Sequence, residues 1–196
     1  MVLKTFHELL KGERGYALYL ADISQMSIRE ATKTLVETVN EILNEFEDKT
    51  DYIVSKFVIG KTYAPQVQEE NETYQDSNVS TWNDEGVISR WNTKYKNAGF
   101  NGMLVLCGIT CQTVKEMIRY EASNDSDSEI VSDSDSDDDD DCELSNQQDY
   151  TLALEQRLIH HFAYVKHDHR LGNETLCTGR RGPRDAAGVV YLVYKF

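Results

Sequence analysis

Residues 121–149 read EASNDSDSEIVSDSDSDDDDDCELSNQQD, with 13 acidic residues and neither Lys nor Arg. Such a segment repels itself and has almost nothing apolar to bury, so it predicts a disordered acidic insertion. It interrupts the chain instead of ending it, because the strongly apolar YTLALEQRLIHHFAYV follows at 150–165. Any core must therefore be assembled from 15–120 and 150–196, with 1–14 as a helical lead. The formal charge of −14 belongs to the tract, which takes 13 of the 34 acidic residues and leaves 21 against 20 basic ones. The folded part is close to neutral and open to an anionic partner.

A length of 196 residues suits one domain with an appendage. No apolar run reaches bilayer-spanning length, and MVLKTFHELLKGERG lacks the apolar centre of a signal peptide, so the expectation is an intracellular protein with no membrane partner. Cys107, Cys111, Cys142 and Cys177 form no Cys-x-x-Cys pair and read as reduced thiols.

The apolar periodicity predicts a strand at 16–23. Ser27-Ile28-Arg29-Glu30 matches a capping box, and the stripe Ile28, Ala31, Leu35, Val39, Ile42, Leu43, Phe46 makes 28–47 an amphipathic helix. A β-branched and aromatic strand spans 52–63, and a polar loop spans 64–80. A second helix fits 82–98, with Val87, Ile88, Trp91, Tyr95 and Ala98 on one face and Gly99 as its stop. GMLVLCGIT at 102–110 reads as a central strand covered on both faces. A short helix at 111–120, a helix at 150–165 and a strand at 187–196 complete the order. The fold class is α+β: a small, mainly antiparallel sheet flanked by helices.

One residue breaks the pattern. In the 150–165 helix, Leu152, Leu158, Ile159 and Phe162 make an apolar stripe, and Glu155 sits within it. A carboxylate turned toward a core loses its water and needs a cation or donors, or it stays protonated. Two readings stand: a partly buried Glu–Arg pair, or a metal ligand or acid/base group at the mouth of a cleft. Arg90, on the shoulder of its helix's apolar face, is the arginine candidate on either.

In this order the chain resembles a GIY-YIG nuclease domain. ALY at 17–19 stands where that family has Gly-Ile-Tyr, and VIG at 58–60 stands for Tyr-Ile-Gly. GVISRW is similar to the helix that supplies the family's arginine, LALEQRLIHHF to the helix with its metal-binding glutamate, and RLGNET to the segment with its asparagine. The resemblance implies hydrolysis of a nucleic-acid phosphodiester, first of all in DNA, with one divalent ion, Mg²⁺ or Mn²⁺. It implies that Glu155 holds the ion, which suits a hard cation's preference for a carboxylate with waters and phosphate oxygens. It further implies that Arg90 grips the scissile phosphate, Tyr19 orients or deprotonates the attacking water, and Asn173 positions the loop beside Glu155. The sequence departs from the family at three points: Val58 replaces the second tyrosine, Ala17 replaces the first glycine, and a whole helix separates motifs that the family joins by a short hairpin. Tyr52 is the fallback for the first tyrosine.

Other features have paired readings. Arg180, Arg181 and Arg184 in CTGRRGPRDAAG form either a phosphate-contacting loop or a solvated basic turn, and Lys61 is a further phosphate candidate. His160, His161, His167 and His169 fit packing and surface positions better than a zinc site. The acidic tract is either a solubilising insertion or a screen that competes with nucleic acid, strengthened by phosphorylation of its Ser-Asp sites. Two rival functions follow: an inactive nucleic-acid-binding module of the same fold, or a protein that captures basic partners such as histones through the tract.

Overall fold

The structure, a computed structural model, describes residues 5–49, 52–65, 85–124, 140–173 and 186–196. Four strands, β1 (Gly15–Leu18), β2 (Lys56–Pro65), β3 (Gly102–Ile109) and β4 (Ala186–Lys195), form one sheet in the order β1-β3-β4-β2. β2 and β3 each pair antiparallel with β4, whereas β1 runs parallel to β3. The sheet is therefore mixed, with two antiparallel ladders out of three. As the patterning implies, the fold is α+β with helices on both faces.

One face is covered by α2 (Ile28–Lys49), α4 (Cys111–Asn124) and α5 (Asp140–His160), with α1 (Phe6–Leu10) at the β1 edge. The start of α2 has the expected box: Glu30 N–H donates to Ser27 Oγ at 3.2 Å, and Ser27 N–H donates to Glu30 Oε2 at 2.9 Å. Its stripe then buries Leu35, Val39, Leu43 and Phe46 against Leu104, Leu192 and Tyr194 of the sheet. Each such side chain contributes about 1.5–3 kcal/mol.

The other face is covered by α3 (Glu85–Arg90), which continues as a π-helical turn, Trp91–Tyr95. Val87, Trp91 and Tyr95 recur at four-residue steps and pack on Met103, Val105, Val189, Tyr191 and Val193. Gly99 ends this unit with φ 79°, a left-handed conformation that costs glycine little. β3 and β4 lie between the two layers, which is why both read as nearly unbroken apolar runs.

Several boundaries differ from the sequence reading. β1 stops at Leu18, although Tyr19 and Ala21 still donate to Val105 and Leu106. β2 begins at Lys56, not at 52. The expected acidic insertion is shorter at both ends: α4 runs on to Asn124, and α5 already starts at Asp140. Aspartates at a helix N-terminus meet the positive end of the helix dipole, so acidity there favours helix. The remainder of the tract and most of the 64–80 loop lie outside the described residues. Among the described side chains of α5 and of the π-helical turn that continues it, His161–Val165, the buried apolar residues are Leu154, Leu158, Ile159 and Phe162, with Leu154 in the place expected for Leu152.

Candidate active site

The anomaly at Glu155 persists in three dimensions: its side chain is only 1% exposed. The packing of α5 explains why. One turn earlier, Thr151 lies on Gly188, where any Cβ would come within 1.9 Å of its hydroxyl. Gly188 is opposite Tyr63 in the ladder, so α5 crosses the β4–β2 pair and carries Glu155 beneath it. Lys61, 8% exposed, lies on the same face of β2 by strand alternation, with its ammonium 3.0 Å from the Tyr63 hydroxyl. Glu155 and Lys61 are the charged residues buried beneath this strand pair. Opposite charges on one face offset part of each other's desolvation cost.

Across the sheet, Tyr191 occupies the corresponding position on the second face. It pairs with Gly60 of the VIG segment, and its ring fills the space where a side chain would project: a Cβ on Gly60 would come 2.5 Å from the phenol oxygen. The Tyr191 hydroxyl is 3.1 Å from that of Tyr95. Burial above all, then the neighbouring Tyr95, holds the Tyr191 phenol well above its ordinary pKa, so it stays protonated. Two further charges act on it in opposite directions: Arg90 lowers its pKa and Glu155 raises it. Arg90 itself is exposed, with no hydrogen-bond or ion-pair partner among the described residues.

The structure does not bring Tyr19 to this place. β1 and β2 form opposite edges of the sheet, three strand spacings or about 14 Å apart. Tyr19 instead packs edge-on against Phe6, with ring centroids 5.0 Å apart. Burial and the carboxylates Glu45 and Glu41 raise its pKa, which opposes its use as a base. The fallback, Tyr52, stacks on Phe196 at 4.9 Å and is also remote from Tyr191's strand pair. What sequence reasoning missed is the antiparallel neighbour of VIG. It is β4, from the far end of the chain, and its tyrosine is Tyr191. The available signal was the Gly60 gap itself, since a glycine inside a strand marks a close approach by something bulky.

Asn173 lies at the outer edge of β2. Its side-chain amide forms two bonds to Ile59, accepting from N–H at 3.0 Å and donating to C=O at 2.7 Å. With Phe57 N–H donating to Arg170 and Gly172 N–H donating to Phe57, the 170–173 segment covers the outer edge of β2. An edge strand left open would expose these groups. Val58 is half-buried in the second-face cluster and brings no polar atom. Arg180, Arg181 and Arg184 lie outside the described residues.

For a divalent ion the described residues supply the buried carboxylate Glu155 here, and they hold no cluster of three or more His, Cys, Asp or Glu side chains. That donor set does not suit zinc. It does suit a hard ion that keeps waters and takes the rest of its oxygens from a phosphate. Among the described residues, no helix is long and apolar enough to cross a membrane. No protein-family model matches the chain, and neither a curated protein nor a solved structure matches it.

Proposed function

We propose that the chain is a metal-dependent endonuclease of GIY-YIG type that hydrolyses nucleic-acid phosphodiesters, with Tyr191 in the role expected of Tyr19. The observation that carries this reading is the buried carboxylate of Glu155 beneath the β2–β4 pair, with the buried phenol of Tyr191 packed on Gly60 of the VIG strand on the other face. Arg90, exposed and unpaired among the described residues, is free to grip a scissile phosphate with its planar fork. Tyr191, kept protonated, serves as a hydrogen-bond donor that orients a water or phosphate oxygen. Asn173 fixes the outer edge of β2 and so the depth of Gly60. Glu155 would hold Mg²⁺ or Mn²⁺, which neutralises charge on the phosphate and the leaving oxygen.

The test is incubation of the purified chain with branched, nicked and supercoiled DNA and either ion. Cleavage that disappears in EDTA and in Glu155→Gln supports the reading, whereas cleavage persisting equally in Glu155→Gln overturns it. Val58 favours a second reading, a binding module without turnover, because it packs apolar where the family has a phenol. That reading expects DNA binding without product and without an effect of metal.

A further inference from the structure

Charge is divided between the two faces of the sheet. On the α2 side, that helix alone carries six acidic residues against three basic ones. Ion pairs there join residues within α2, residues within the 166–170 segment, and Arg170 of that segment to Glu47 of α2.

The α3 side differs. From 85 to 101 the sequence holds Arg90, Lys94 and Lys96 with a single acid, Glu85. The strand ends beneath add Lys56 and Lys195, which stand directly opposite each other in the β2–β4 ladder. Lys195 reaches the turn after the π-helical segment: its ammonium lies 3.5 Å from the position a Cβ on Gly99 would take. Gly99 in turn donates its N–H to the Lys96 carbonyl at 3.3 Å, so the two lysines share that turn. All five cations are exposed, and none has an ion-pair partner among the described residues. Like charges directly opposite across strands are destabilising, and an anion between them removes the repulsion.

We infer that this face, from Arg90 through Lys94 and Lys96 to Lys195 and Lys56, is the track on which a nucleic-acid backbone lies. The inference rests on the nuclease reading for its direction, since the row starts at the arginine assigned to the scissile phosphate. Its shape supports a polyanion over a single phosphate. Arg90 to Lys94 already covers about 6 Å of helix axis, and the row continues past the turn onto the strand ends. A membrane surface fits less well. Among the described residues the exposed large apolar side chains Ile53, Ile118, Tyr164 and Val165 belong to segments on the side of α2, α4 and α5, and Tyr52 stacks on Phe196, so none of them anchors this face.

The experiment is a fluorescence-anisotropy titration of a short DNA duplex with the full chain in EDTA, between about 50 and 200 mM salt. Each phosphate contact contributes about 0.9 to the slope of log affinity against log salt. The pair Lys94→Gln/Lys195→Gln should therefore lower the slope by about 1.8, and Lys33→Gln/Lys49→Gln on α2 should leave it unchanged. Equal slopes in both pairs, or an equal loss from the α2 pair, overturns the track. So does binding to vesicles of anionic phospholipid with none to DNA. Binding that follows the prediction without cleavage in Mg²⁺ rejects the nuclease reading and leaves the track standing. Cleavage with slopes indifferent to Lys94 and Lys195 does the reverse.

Discussion

Gly60→Ala probes the contact on which the candidate site depends. The new methyl would lie 2.5 Å from the Tyr191 oxygen and 2.6 Å from two ring carbons. Ordinary carbon contacts begin near 3.5 Å, so the ring must retreat by roughly 1 Å. That movement takes its hydroxyl, now 3.1 Å from that of Tyr95, outside hydrogen-bond range. Overpacking of this kind costs about 1–3 kcal/mol, and a lost hydrogen bond adds about 1 kcal/mol. Against these stands a gain of about 0.4–1 kcal/mol from the stiffer unfolded chain. The net expectation in urea unfolding is a loss of about 1–3 kcal/mol. With Tyr191→Ala the space is vacant, and Gly60→Ala should become neutral or slightly stabilising. The double-mutant cycle should thus show a coupling of about 1–3 kcal/mol. Should Tyr191→Ala leave too little folded protein, Tyr191→Val supplies the same corner. Additivity within about 0.3 kcal/mol would refute the placement of the ring over Gly60. A phenol displaced by 1 Å should also slow cleavage about a hundredfold.

Asn173→Ala should cost about 1–3 kcal/mol in urea unfolding, because it strips both backbone groups of Ile59 of their partners at a sheet edge. Hydrogen exchange at the Ile59 amide should accelerate in parallel, and unchanged exchange would remove Asn173 as the edge cap. Asp168 accepts hydrogen bonds from Arg170, which hold its carboxyl below the usual range. A depressed value stabilises the fold above the unfolded value of about 4 and loses that contribution as pH falls through the folded one. Wild type should therefore lose more stability than Asp168→Asn between about pH 5 and 3, measured by urea midpoints. Val58→Tyr would place a second phenol on the face of Tyr191, at a diagonal spacing of about 7–8 Å. It should raise cleavage with unchanged DNA affinity, and no gain would count against reading VIG as the second motif.

Local signals carried far in this chain. The Ser27–Glu30 box and the stripe that follows fixed α2, because capping and helical phase act within a few residues. Burial of Glu155 was legible for the same reason: its neighbours at three and four residues are apolar, so the helix phase points it inward. What stayed hidden depends on distant partners. Nothing near residue 60 shows that its antiparallel neighbour lies about 130 residues later, and Tyr191 sits in the unbroken run VVYLVY, where period-two alternation is absent. Likewise, nothing in the tripeptide at 17–19 shows that its strand runs at the edge of the sheet opposite VIG. The bidentate grip of Asn173 on Ile59 could be read only once the sheet edge was known.

The central claim is that the working tyrosine is Tyr191, the phenol packed on Gly60 of the VIG strand. Its most direct test compares the Mg²⁺-dependent DNA cleavage rates of wild type, Tyr191→Phe and Tyr19→Phe at matched DNA binding. The account predicts a large loss in Tyr191→Phe and a wild-type rate in Tyr19→Phe. Full activity in Tyr191→Phe with a loss in Tyr19→Phe would contradict it.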